Sequence, residues 1–331
     1  MSPPTVSLIM PTWRPDPDWL HAAVASALSQ RGCELELLVV DDGSPEPVAD
    51  LLADVRDPRL RVIAVPHGGT SHARNVGFGH SSGAWIRFVD SDDVLPPEST
   101  AHLLAIGAGR EVISYGATAY CDAKLRPLEI VTSDVRGRVA VECLLGGFLV
   151  TLPTLLFPRR VVERVGDWDE TITVCQDWDF VLRALEHCPV DGDHTVALHY
   201  RQHAEGASKG DLGTPKWHLA QEGRRAVVER YFERHPEQRG TKLEARARGV
   251  VDLAIARGHR EAYLAHLGRA AGRDPVSVAR ELGVFTGLVA RRALGRAVRR
   301  PSSGRARGTR PPEADLPATD MPVSGEVEAG S

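Results

Sequence analysis

The sequence predicts an α/β fold, a mainly parallel β-sheet flanked by helices. Three observations carry that expectation. Short, continuously apolar segments alternate with amphipathic ones through the first hundred residues, the pattern of strands buried on both faces. Two of the apolar segments end in carboxylate-rich turns, and ligands on such sheets gather at strand carboxyl ends. Beyond residue 213 the apolar spacing becomes helical and the charge changes sign. The predicted organisation is a domain at 1–213, a C-terminal α-helical appendage at 214–300 and a disordered tail at 301–331.

Val6-Ser7-Leu8-Ile9-Met10 reads as the first strand, stopped by Pro11. Asp18 is placed to cap the next helix, whose apolar face is Leu20, Val24, Ala27 and Leu28. Glu36 to Val40 is a second strand, ending in Asp41-Asp42-Gly43-Ser44, and Val48, Leu51, Leu52 and Val55 mark a second helix. Leu60 to Val65 is a third strand. Ala84 to Val89 is a fourth, ending in Asp90-Ser91-Asp92-Asp93, with a helix beginning near Pro96. Phe180, Val181, Ala184 and Leu185 give a buried helical face, and Thr195 to Leu198 a further strand. After residue 213 one helical stripe holds Trp217, Ala220, Val227, Val228 and Tyr231, a second Leu243, Val250 and Val251, and a third Tyr263, Leu264 and Leu267. Val276 to Arg300 mixes apolar residues with Arg280, Arg291, Arg292, Arg296, Arg299 and Arg300.

The formal net charge of -4 hides three segments. Residues 1–213 carry 18 basic and 30 acidic side chains, residues 214–310 carry 22 and 9, and residues 311–331 none and 5. That division suggests an acidic globular part, a basic appendage and an acidic tail. The five cysteines are odd in number and widely spaced, which excludes a disulfide scaffold and points to a reducing cytoplasm. No basic stretch precedes an apolar run at the N-terminus, so no signal peptide is expected. The stretch Leu144 to Pro153 falls far short of the roughly 20 apolar residues of a membrane span.

Clustered acids on strand ends repel one another unless a cation sits among them. Lysine, arginine or a hard divalent ion with oxygen ligands would serve. Taken alone, Asp92 or Asp93 more often caps the following helix, but Asp41-Asp42 on a second strand end weakens that alternative. Between those strands, Gly68-Gly69-Thr70-Ser71-His72-Ala73-Arg74-Asn75 resembles neither a P-loop nor a dinucleotide fingerprint. Its glycines still leave room for an anion at a helix start, with Arg74 in reach of phosphate. In Gln176-Asp177-Trp178-Asp179 both acids fall in a first helical turn, where they either offset the dipole or present a general base. His199 and His203 sit on a strand end without a His-Glu-x-x-His pattern; one of them added to a carboxylate-held metal is the functional alternative.

In combination these residues resemble the family 2 glycosyltransferases, over about residues 5–210 and in order. Pro11-Thr12-Trp13, Val39-Val40-Asp41-Asp42-Gly43-Ser44, Gly69 to Gly77, Phe88 to Pro96, Gln176-Asp177-Trp178-Asp179 and Tyr200-Arg201-Gln202-His203 carry the likeness. The resemblance implies a GT-A-type, Rossmann-like fold and an inverting transfer from a nucleotide-diphosphate sugar to an acceptor hydroxyl. It implies that Pro11, Thr12, Asp41 and Asp42 line the nucleoside site and that Arg74, Asp90 and Ser91 lie on the donor. It also implies that Asp92 and His203 hold Mn²⁺ or Mg²⁺, and that Asp177 is the base. Gln176 departs from the family's usual glutamate. Acceptor residues are expected in the variable stretch between Tyr115 and Thr173.

Three alternatives stand beside this reading. A phosphoacceptor receiver domain needs a lysine by its acids, and residues 1–213 offer only Lys124 and Lys209. A nucleotidyltransferase would carry an early glycine-rich basic loop that Pro11 to Asp18 lacks. A catalytically inactive sugar-nucleotide-binding homologue is the third. The basic appendage is compatible with packing on the catalytic domain, a homodimer contact or peripheral attachment to the inner membrane face; its scarce aromatics argue against nucleic acid.

Overall fold

The computed structural model describes residues 5–148, 150–203 and 215–256. Four strands, β1 (Val6–Thr12), β2 (Leu35–Asp42), β3 (Leu60–Val65) and β4 (Trp85–Phe88), run parallel in the order β3-β2-β1-β4. The sheet continues through β7 (Leu155–Pro158), antiparallel to β4, then β5 (Ile113–Cys121) and the edge strand β6 (Pro127–Val131). β8 (Val190–Arg201) lies parallel to β5. The helices are α1 (Pro17–Leu28), α2 (Val48–Leu51), α3 (Thr70–His80), α4 (Ser99–Gly107), α5 (Ala140–Leu144), α6 (Arg159–Val165), α7 (Gln176–His187), α8 (Pro215–Arg234) and α9 (Lys242–Ala256). The predicted mainly parallel α/β sheet with flanking helices is what forms.

Alternation along the central strands explains the two-sided core. Leu8 and Met10 of β1, with Leu37 and Val39 of β2, face one apolar cluster with α1 and α2. Ile9 and Leu38, one residue out of step, face the other with Phe88, Phe157 and Phe180. That second cluster also takes Val227, Val228, Tyr231 and Phe232 of α8 and Ala247 and Val251 of α9. The first two predicted C-terminal helices are therefore built into this core. All described residues belong to one compact unit, Met1–Gly283. The predicted stripe at Tyr263, the arginine-rich Val276 to Arg300 and the tail lie outside the described residues.

Two local expectations change. Pro11 does not stop β1, which runs on to Thr12 with Pro11 opposite Val40. Ile9 directs its carbonyl to Val89 on the β4 side, and Pro11, two residues on, turns its nitrogen the same way, past the last β1–β4 pair at Ile9–Phe88. Its missing N–H therefore breaks no ladder bond. Asp16, not Asp18, caps α1: its carboxylate accepts the Trp19 N–H at 3.1 Å, and Pro17 occupies the first helical turn.

β4 holds a residue unusual for a core strand. Arg87 is completely buried and donates to the Pro153 and Ala197 carbonyls and the Ser99 and Thr100 hydroxyls. With no carboxylate among these partners, burial pushes the guanidinium down to about 9. It ties β4 to the start of α4, to the turn before β7 and to β8.

α3 lies on β1 and β2 through Gly77, where an added Cβ would sit 2.5 Å from Ile9 Cγ2. Gly77→Ala is expected to destabilise the fold by about 1–3 kcal/mol through overpacking, read as a lowered thermal midpoint. An unchanged midpoint would show that α3 can move away without cost.

Candidate active site

The chain leaves β1 toward β2 and β3 on one side, then returns to place β4 on the other. The crevice beyond the carboxyl ends of β1 and β4 is thus the switch point of the sheet, where neighbouring loops diverge and make room for a ligand. Thr12 sits at its floor, buried, with its hydroxyl unpartnered. Trp13 beside it is 47% exposed and stacks on His67, ring centroids 4.8 Å apart.

Asp41 and Asp42 have structural partners. Asp41 accepts the Ser44 and Val48 amides at 2.9 and 3.1 Å, folding its own turn. Asp42 accepts the Gly68 and Gly69 amides at 2.8 and 2.9 Å and meets His67 Nδ1 at 2.8 Å. The expected set of acids around one cation is accordingly divided: these two shape the loops of the crevice, while Asp90, Asp92 and Asp177 remain on its other side.

Arg74, on the second turn of α3, is 4% exposed. Nη2 reaches Asp90 Oδ1 at 3.3 Å, and the guanidinium lies 4.5 Å from the centre of the Trp168 ring. Nε and Nη1 are buried without a partner. A buried cation with two unused donors is costly alone and well suited to an incoming anion. Its neighbour Asn75 grips the Trp168 backbone, accepting its N–H at 2.8 Å and donating to its carbonyl at 3.1 Å. Trp168 stacks in turn on Phe180 of α7 at 4.0 Å with an interplanar angle of 2°. Trp168 and Asn75 were not singled out from the sequence; the only signal was Asn75 following Arg74.

Past β4, Asp92 and Asp93 do not cap a helix: α4 begins at Ser99, behind Glu98, with no side-chain cap bond. Asp93 is buried and accepts the Arg201 N–H at 2.7 Å. Burial raises it well above the usual carboxylate range, Asp90 and Asp92 add to this, and the Arg201 amide opposes it. Asp92 Oδ2 lies 2.9 Å from His203 Nε2, and His203 Nδ1 is buried without a partner. Arg201 Nε donates to the Asp92 carbonyl at 2.8 Å, so the end of β8 holds this loop in place. His199 instead bridges Val94 through its backbone.

The two acids of the α7 start have different fates. Asp179 is buried and bound by Arg183 at 2.8 Å, with Arg234 of α8 at 3.5 Å. Asp177 is exposed, its carboxylate taking the Trp178 amide at 2.8 Å. Its charge acts on both Asp90 and Arg74. Cys175, just before α7, is held in the left-handed region at φ 66°. α8 presses against that turn: an added Cβ at Gly223 would fall 2.3 Å from the Val174 carbonyl oxygen, and the Cys175 thiol reaches the Ala220 carbonyl at 3.5 Å.

Asp90 is pushed up to about 6, first by burial, with Arg74 pulling it down and Asp92 and Asp177 raising it further. An unfolded aspartate titrates near 3.9. The folded chain therefore holds this proton more tightly, and the associated stability is lost as pH rises through about 6. With 34% of the side chain open to solvent, the penalty is moderated. Asp90→Asn should stabilise the metal-free protein by on the order of 1–2 kcal/mol at pH 8, with the gain shrinking toward pH 4.5. Thermal midpoints across that range check this; a pH-independent gain would contradict it.

Residues 7–134 match the family described as Glycosyl transferase family 2. The succinoglycan biosynthesis protein ExoO of Rhizobium meliloti is 31% identical over 210 residues, covering 56% of this chain and 58% of that protein. An uncharacterized glycosyltransferase of Rickettsia felis is 26% identical over 215 residues, covering 62% of this chain and 35% of that protein. The chain thus spans less than two thirds of these relatives. Among solved structures, S. aureus TarS 1-349 superposes with a TM-score of 0.54 at 16% identity, covering 83% of this chain and 82% of that one. Its complex with UDP-GlcNAc gives 0.52 at 17% identity, covering 83% and 82%. The fold is shared with TarS, and residues 7–134 are similar to glycosyl transferase family 2.

Proposed function

We propose that the protein is an inverting glycosyltransferase that moves a sugar from a nucleoside-diphosphate donor to an acceptor hydroxyl. The observation that carries this reading is the Arg74 guanidinium, buried between Asp90 and Trp168 with two nitrogens unpartnered and within the field of Asp177. One crevice thereby offers a donor set for a diphosphate and a solvent-facing carboxylate for an acceptor.

Asp177 accepts the proton of the acceptor hydroxyl as its oxygen bonds to the anomeric carbon. The bond from that carbon to the diphosphate oxygen breaks on the opposite face, and the nucleoside diphosphate leaves with the electron pair. One displacement inverts the anomeric configuration. Thr12 and the loops held by Asp41 and Asp42 take the nucleoside. Asp90 and Ser91 face the ribose or donor sugar, and Arg74 meets developing negative charge on the leaving group.

Asp92 Oδ2 and His203 Nε2 converge to 2.9 Å, with Asp92 37% exposed. One carboxylate and one imidazole suit Mn²⁺ or Mg²⁺ when phosphate oxygens and water complete the shell. No group of three or more candidate ligands occurs among the described residues, so the donor itself would supply the rest. When bound there, the ion offsets charge on the diphosphate.

TarS has been crystallised with UDP-GlcNAc and with UDP, so uridine diphosphate sugars are the first probes, followed by other nucleotide sugars. Turnover is expected with Mn²⁺ and should fall by on the order of a hundredfold in EDTA. Full turnover in EDTA with no metal in the protein would remove the metal from this reading. Failure of every nucleotide sugar to bind would overturn the reading itself.

A further inference from the structure

A pocket of about 120 Å³ opens where β5 and β6 meet the segment before β7, lined by Thr118, Tyr120, Thr132, Ser133, Val150 and Thr151 among others. None of its lining side chains carries a charge. The Thr118 and Thr151 hydroxyls meet at 2.6 Å, and Tyr120 packs against Tyr200 with ring centroids 5.2 Å apart.

Its position links it to the reaction centre from two sides. β5 is parallel to β8 with Tyr120 opposite Tyr200 and Cys121 opposite Arg201, and Arg201 is the residue that binds Asp92 and Asp93. The Tyr120 phenol lies in the field of Asp93. On the other side, Trp178, adjacent to Asp177, donates to the Cys143 carbonyl at 3.2 Å, at the start of the segment that runs on to Val150 and Thr151.

We propose that this pocket is an acceptor subsite that takes an uncharged sugar ring. The inference rests on the glycosyltransferase reading and adds the chemical class of the acceptor. Hydroxyl side chains exchange hydrogen bonds with sugar hydroxyls in either direction. The valines and Tyr120 offer apolar surface to the C–H face of a ring. An anionic group would meet no compensating cation here and would have to shed water unrepaid.

The test is ligand-observed NMR on the full chain with UDP and Mn²⁺ present, using neutral methyl glycosides of glucose, galactose, mannose and rhamnose against glycerol 3-phosphate. Neutral glycosides should bind. Thr151→Val should weaken them about threefold to tenfold, the loss of one neutral hydrogen bond. Thr132→Trp, on the exposed rim and outside the core, should abolish binding. Thermal melting establishes that each variant is folded, and UDP affinity should match wild type in both. No glycoside binding, unchanged binding in Thr132→Trp, or binding of glycerol 3-phosphate alone would each overturn the subsite while UDP still binds. If no nucleoside diphosphate binds, it is the underlying glycosyltransferase reading that fails.

Discussion

Asp177→Asn is expected to lower kcat by about 10²–10⁴-fold, the usual contribution of a positioned general base. The amide keeps the shape of the carboxylate but cannot take the acceptor proton. Asp177 is exposed and its carboxylate meets the neighbouring Trp178 amide, so the substitution leaves the core intact. It also removes one of the charges that raise Asp90, whose titration should move down from about 6. Donor affinity, measured by UDP titration, separates this loss from a binding defect. A variant that transfers sugar at the wild-type rate would show that the proton leaves by another route.

Arg74→Met should raise the donor KM by about 10–100-fold, the value of a hydrogen bond to a charged group lost from a desolvated site. Methionine keeps the stem that lies against Trp168 while deleting the charge. The same change removes the cation that lowers Asp90, so the Asp90 titration should rise further. The two shifts go in opposite directions in the Asp177 and Arg74 variants, which distinguishes both from general damage to the crevice. Unchanged donor KM and unchanged UDP affinity would remove Arg74 from the donor site.

How much of this was legible in sequence depended on the range over which each feature is encoded. The early strands stood out because Val6 to Met10, Glu36 to Val40 and Leu60 to Val65 are apolar runs set off by turn residues. β5 did not, since Ile113–Cys121 is mostly small or polar residues that become buried only because β7 and β8 cover it on both edges. β7, four residues long, offers no period to detect. Nor did periodicity reveal Arg87, a charge in a fully buried strand whose four acceptors come from distant segments.

By itself the sequence determined the α/β class, the strand-end acids and the segment Gln176 to Asp179, all set by neighbours a few residues apart. Only the tertiary structure decided which of those acids do what. Asp41 and Asp42 are drawn to loop amides, Asp93 to the Arg201 amide and Asp179 to Arg183. Asp90 is left beside Arg74, Asp92 beside His203, and Asp177 facing the crevice. α8, in the predicted C-terminal helical region, braces the turn before Asp177, through Gly223 against Val174. The reason is physical: a carboxylate's role is set by which donors and cations come within a few ångströms and how much water is excluded, and those neighbours lie tens of residues away along the chain.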